Sequence, residues 1–241
     1  MSWEEELAKN FPVEKAYDDV AAPAAKQIGS ALESATKAAR WLLAPIDYLA
    51  ARNDRYQNYL ERISKIVPEE NLIEGNPKIV GPALDGLKYV SPEDIISDLF
   101  VNLLARAIDK ERVNEAHPAF TQIISQLSPD EAVVIYELSK QSYEYVTYAA
   151  FHSGTNTFSP REVRSNQFPV ENLAAPENYS FYIDHLHSLN IAGIWQVGNQ
   201  TPIRNEEGQQ IGVEINSTAQ LTPFGQLFAK ACVPENIERY V

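Results

Sequence analysis

Between Val20 and Ile46 apolar residues recur at steps of three and four: Val20, Ala24, Ile28, Ala31, Leu32, Ala35, Ala39, Leu42, Leu43 and Ile46. That is the period of a helix face, so an alanine-rich helical region is predicted from Glu4 to about Val67, broken or kinked at Pro45. A second stripe from Pro45 to Ile66 places Ile46, Leu49, Tyr56, Leu60 and Ile63 together and leaves Arg52, Arg55, Glu61, Arg62 and Lys65 largely outside it. Long helices of this kind need a partner surface for their apolar side.

Prolines and glycines from Pro68 to Val90 predict a loop with one short helix around Ala83 to Tyr89. Ser91-Pro92-Glu93-Asp94 then reads as a helix start, with Ile95, Ile96, Leu99, Phe100, Leu103, Leu104 and Ile108 as the buried face. A helix from Ala119 to Gln126 adds Phe120, Ile123, Ile124 and Leu127 to the same core. Ser128-Pro129-Asp130-Glu131 has the grammar of a capping box: serine cap, proline first, glutamate reaching back. The helix it opens is expected to continue towards Ala150.

After Ser128 charge thins and strand-like alternation appears. Ser159-Pro160-Arg161-Glu162 repeats the cap pattern and predicts a short helix, and a further helix runs from Glu177 to Leu189. Ala192 to Val197 and Gly212 to Ala219 read as antiparallel strands joined by a polar loop containing Gly208, before a helix start at Thr222-Pro223. The expected fold is therefore mainly α. A helical bundle domain at 1–127 is followed by a winged-helix-like domain at 128–241 with one small antiparallel β-hairpin.

Charge narrows the functions open to such a fold. The 241 residues carry 20 basic and 33 acidic side chains, a formal net charge of −13. Residues 1–120 hold 14 basic against 20 acidic, and residues 121–241 hold 6 against 13. A field of that sign repels phosphate backbones, and the predicted recognition helix 177–189 has no Lys or Arg, so nucleic acid is not the favoured partner. Cys232 is the only cysteine, which rules out an internal disulfide and fits a reducing cytoplasm. The acidic start, Ser2-Trp3-Glu4-Glu5-Glu6, lacks the basic flank of a signal peptide, and no run of about eighteen apolar residues predicts a spanning helix.

His117, next to Pro118, is the sharpest single candidate for chemistry near neutral pH. The alternative, preferred because no nucleophile or carboxylate accompanies it at diagnostic spacing, is a helix-start histidine bonded to a neighbouring carbonyl. His185 and His187 with Asp184 are spaced two apart on a helix, whereas chelation wants three or four. Phosphate-binding glycine loops, a Gly-x-Ser-x-Gly elbow and a His-Glu-x-x-His helix are missing. No catalytic, cofactor or metal residue is assigned, and non-enzymatic action is expected. Trp41, Leu42, Leu43, Ile46, Tyr48 and Leu49 beside Lys37, Arg40, Arg52 and Arg55 suit a membrane-surface helix, a bundle helix or a homo-oligomer interface.

The run Ala116-His117-Pro118-Ala119-Phe120, a spacer, then Leu127-Ser128-Pro129-Asp130-Glu131-Ala132 resembles the central signature of the Abi-alpha (abortive infection alpha) family. Leu186-His187-Ser188-Leu189-Asn190-Ile191 and Leu221-Thr222-Pro223-Phe224-Gly225 through Cys232 are similar to its ending, so the resemblance covers about Ala83 to Cys232. Asn190 departs from it, standing where such helices more often have Gly. The resemblance implies bacterial defence against phage and brings no catalytic residue. The expectation is a cytoplasmic protein, peripheral to the inner membrane in one version, that acts through a protein partner, self-association or membrane contact. His117, Pro118, Phe120, Trp41, Leu42, Leu43, Arg52 and Arg55 are its candidate interaction residues. A winged-helix nucleic-acid-binding regulator is the first alternative, an unrecognised hydrolase or nuclease the second.

Overall fold

Helix starts in this chain are set by local donors and acceptors. In a computed structural model of the protein, which describes residues 54–240, helix α1 (Asp54–Ile66) is followed by α2 (Pro77–Leu87), where Asn76 accepts from the Lys78 amide and Pro77 takes the first turn. Helix α3 (Ile95–Ala107) is capped by Asp94, which accepts from Ile96 N at 2.9 Å; the cap expected at Ser91 lies three residues too early. Helix α4 (Ala119–Ile124) precedes α5 (Pro129–Lys140), whose Ser128–Glu131 capping box is complete. Contacts divide the chain into two compact units, the residues up to Leu127 with Lys230–Pro234, and Ser128–Ala229 with Glu235–Val241.

In the first unit the apolar faces of α1 to α4 meet in a core that includes Tyr59, Ile63, Leu84, Leu99, Phe100, Leu103 and Phe120. Gly86 lets the Phe100 ring lie directly on α2, since a Cβ there would fall 2.4 Å from the ring. Polar groups tie the remainder. Arg62 pairs with the buried Asp98. Glu115 gathers three cations: Arg106 Nε at 3.3 Å, Arg112 at 3.0 Å and Lys230 Nζ at 3.1 Å. Burial pushes the Glu115 carboxyl up, but hydrogen bonds from Lys230 and Arg112 outweigh it and hold it below its ordinary value. Asn102 Nδ2 donates to the carbonyl of the buried Cys232 at 2.9 Å, so the chain's late residues complete this unit.

The second unit is built on a six-stranded antiparallel sheet. Long strands β1 (Tyr143–His152) and β6 (Gln210–Leu221) pair at its centre from Tyr143↔Ala219 to Ala150↔Gly212. Two short strands, β2 (Thr157–Phe158) and β3 (Glu162–Asn166), share the free edge of β1. The pair β4 (Ala192–Gln196) and β5 (Thr201–Arg204) shares that of β6. Odd-numbered residues of β1 and β6 face the helices α5 and α6 (Tyr179–Ser188), where Phe168 packs between Tyr143 and Tyr179 at ring distances of 5.3 and 4.7 Å.

This sheet overturns the mainly α expectation, and with it the helical bundle followed by a winged-helix-like module with one small hairpin. Ala192–Gln196 and Gln210–Leu221 do pair antiparallel, but as two of six strands. The stretch expected to extend α5 to Ala150 turns at Gln141-Ser142 and becomes β1, because its aromatic and β-branched residues, Tyr143, Tyr145, Val146, Thr147 and Tyr148, suit a pleated surface. Ser159-Pro160 does not cap a helix. Ser159 N donates to Ala150 O and Ser159 Oγ accepts from Ala150 N, so its cap chemistry serves the sheet edge.

The start of α7 (Pro223–Cys232) shows why Thr222 and Gly225 stand where they do. Thr222 Oγ1 donates to Asn190 O and accepts from Gly225 N, and Thr222 N donates to Ile191 O. A Cβ on Gly225 would lie 1.9 Å from Ile191 O, and Asn190 itself takes the left-handed conformation at φ 58°.

Gly225→Ala is expected to lower stability by roughly 2–4 kcal/mol, read from urea unfolding, because backbone on both sides must shift. Glu115, held below the ordinary carboxylate range, stabilises the fold above its unfolded-state value, and this contribution disappears as pH falls through the folded-state value. The stability difference between the natural chain and Glu115→Gln should therefore be largest at neutral pH and vanish in acid, as denaturant curves at several pH values will show.

Candidate functional site

Two adjacent carboxylates at the start of α5 form the densest polar cluster of the second unit. Asp130 and Glu131 are both buried, which demands a donor for each lone pair withdrawn from water. Asp130 accepts from the backbone amides of Ala174 at 2.8 Å and Ala175 at 3.0 Å, and from Tyr182 Oη at 2.8 Å. Glu131 Oε2 accepts from Ser128 N and Ser128 Oγ, and its Oε1 lies 2.5 Å from His185 Nδ1. Tyr182 and His185 lie on α6, so the pair staples α6 and the loop before it onto α5. Burial, then the bond to Asp130, raises the Tyr182 hydroxyl above its ordinary value. Tyr179 is raised likewise by burial, and its hydroxyl has no hydrogen-bond partner.

The staple sets what the surface of α6 offers. With Nδ1 directed at Glu131, the His185 side chain is 27% exposed, and Phe181 stacks beside it at 6.4 Å. Phe181 is 65% exposed. Among the described residues no group of three His, Cys, Asp or Glu side chains is placed to hold a metal ion.

A second feature comes from strand register. On the helix-side face, Phe158 lies opposite Phe151, Val163 opposite Thr147, and Pro202 opposite Val213. They surround a small buried cluster of Ala149, Val213 and Ile215. At its margin Phe158 is 48% exposed and Val163 56% exposed, with their apolar side on the surface that a sheet normally buries.

The residues singled out from sequence fall elsewhere. His117 is exposed and accepts from Ala119 N through Nδ1 at 3.1 Å, so it bonds an amide at the start of α4 where a carbonyl partner was expected. Its ring meets Phe120 at 5.6 Å, Pro118 is half-buried, and Phe120 is buried in the core of the first unit. Trp41, Leu42, Leu43 and Arg52 lie outside the described residues; Arg55 lies in the first turn of α1. Sequence reasoning gave Glu131 its capping role but missed Asp130, Tyr182 and His185 as its companions. It missed the Phe158–Val163 surface as well, for β3 was expected to be a helix.

Asp130→Asn should cost about 2–4 kcal/mol, because an amide cannot accept from all three donors and turns its own NH₂ against some of them. Thermal unfolding of the variant checks this, with Glu115→Gln, in the other unit, as a comparison.

Against this geometry stand the comparisons with known proteins. Searches of curated proteins and of solved structures find no match. The profile described as "Abortive infection alpha" matches residues 51–232, from the start of α1 to the end of α7, and so takes in the His117–Pro118 corner, the capping box of α5 and the Thr222–Gly225 helix start. With three quarters of its length matched, the chain belongs to the abortive infection alpha family.

Proposed function

We propose that this abortive-infection defence protein acts without a reaction of its own, by docking a macromolecular partner on the second unit. The observation that carries the reading is the apolar, helix-side sheet surface around Phe151, Phe158, Val163 and Pro202, left uncovered by the described helices. Exposed apolar rows contiguous with a buried cluster lose free energy to water unless something covers them, at roughly 25 cal/mol per Å². The Asp130–Glu131 staple supports the same reading, since both carboxylates are spent on holding α6 in place.

A membrane version of the docking reading rests on the Trp41, Leu42 and Leu43 region, which lies outside the described residues. No helix among the described residues is long and apolar enough to cross a membrane; surface attachment through an amphipathic helix is the form this version takes. Flotation of the natural chain with lipid vesicles, compared with Trp41→Glu and Leu43→Glu, separates the two: flotation unchanged by both substitutions excludes this membrane version.

In cells challenged with phage, Phe158→Glu is expected to reduce protection by at least about tenfold in plating efficiency while the purified variant keeps the natural melting curve. Full protection by a folded Phe158→Glu protein would refute the docking reading.

A further inference from the structure

We infer that Arg106, Arg112 and Lys230 form a binding site for a phosphoryl oxyanion in the first unit, carried by inorganic phosphate or by a phosphorylated small molecule.

The site grows from the end of α3. Arg106 lies in its last turn, Arg112 and Glu115 follow in the loop behind it, and Lys230 comes from the end of α7, within the same compact unit. All three cations converge on Glu115, whose oxygens are divided unequally between them. Oε2 takes Arg106 Nε at 3.3 Å, Arg112 Nη2 at 3.0 Å and Arg112 Nε at 3.2 Å, while Oε1 takes Lys230 Nζ at 3.1 Å. Asp109 adds a second negative charge near Arg106, but its Oδ1 already accepts from Glu111 N. Three cations against two carboxylates leave a local positive surplus, in a chain whose net charge is −13.

The surplus cannot spread freely into water. The Arg106 side chain is only 13% exposed, and its Nε is buried without a hydrogen-bond partner, because its approach to Glu115 is an ion pair without the geometry of a bond. Among the described residues no hydrogen bond is taken from this guanidinium. Burial, then the like charge of Arg112, lowers Arg106 below its ordinary value. A guanidinium withdrawn from water beside a second one, with its donors unpaired, is costly unless an anion is held against them. The side chains of Arg112 and Lys230 are 38% and 62% exposed, so such an anion can reach them.

The donor set selects the kind of anion. A second carboxylate would offer two oxygens in one plane and duplicate Glu115. A phosphoryl group presents its oxygens tetrahedrally, enough for one to each cation, and the guanidinium fork matches its edge. The acidic field of the rest of the chain works against a long polyanion, whose further phosphates would meet it, and so favours a ligand no larger than the site.

Isothermal titration of the full chain with inorganic phosphate, pyrophosphate and ATP at matched ionic strength tests this. At least one of the three should bind with a Kd below about 1 mM. Arg112→Gln and Lys230→Gln should each weaken that binding at least about fivefold, with melting curves unchanged because each gives up an exposed ion pair. Arg161→Gln, an equal change of charge at an exposed position beside β3, should leave it as it was. ATP binding more tightly than pyrophosphate assigns the phosphoryl group to a nucleotide; ATP binding no more tightly assigns it to the inorganic ions. Glu115→Gln supplies an independent readout, since phosphate can bridge the cations in place of the lost carboxylate: it should raise the melting temperature of this variant more than that of the natural chain. Failure of all three probes to bind at about 5 mM overturns the inference. So does binding that survives both Arg112→Gln and Lys230→Gln, or that Arg161→Gln weakens equally. Equal rises in the two melting temperatures, the mark of a general salt effect, overturn it as well. Should any one variant fail to fold, the remaining variants and the natural chain still decide.

Discussion

A carboxylate removed from water must collect donors before its surroundings can settle, and residues 128–229 are organised around two such groups side by side. Asp130 and Glu131 draw their donors from three separate places: the cap at Ser128, the backbone at Ala174 and Ala175, and the α6 side chains Tyr182 and His185. Each of these bonds is modest by itself, but losing any one leaves a buried charge short of a partner, which is much more costly than the bond is favourable. The approach of α6 to α5 is therefore fixed by polar geometry, while Val134 on α5 and Ile183 and Leu186 on α6 are buried. Placing α6 places Tyr179, hence Phe168 and Tyr143, and so the end of the sheet that the helices cover.

Among the described residues that coverage is partial. β1 and β6 are longer than the helices lying on them, so the alternation that buries Tyr143 and Ala219 at one end continues to Phe151 at the other, beyond the reach of α5 and α6. Chain length and pleat together create the apolar surface; no special motif is needed. The opposite face is treated differently, with Arg164, Tyr148 and Glu214 stacked into a neutralised layer.

Features encoded within four or five residues were legible in the sequence. The Ser128–Glu131 box, the proline at the start of α5, the helix start at Thr222-Pro223 and the buried residues of α3 follow from hydrogen-bond supply and helical period. Features that depend on a remote partner were not. Nothing between Lys140 and Tyr143 breaks a helix by composition; β1 is a strand because β6 and β3 lie beside it. Ser159-Pro160 carries the letters of a cap, yet the amide that donates to the Ser159 hydroxyl belongs to Ala150. The same division applies to the candidate site. Glu131 could be seen as a cap, while its second oxygen's bond to His185, fifty-four residues away, could not. Gly225 could be recognised as part of a helix start, but the Ile191 carbonyl pressed against it could not. The apolar sheet surface was hidden for a related reason: Phe158 and Val163 become neighbours of Phe151 and Thr147 only once the register is known.

The path of the chain between the two units carries a last implication. Lys230 and Cys232 belong with the residues that precede Leu127, where they meet Glu115 and Asn102, although more than a hundred residues of sheet and helix intervene. A chain emerging from the ribosome therefore presents Glu115 and Asn102 before Lys230 and Cys232 exist, and the first unit gains these two contacts only after every strand of the sheet has been made.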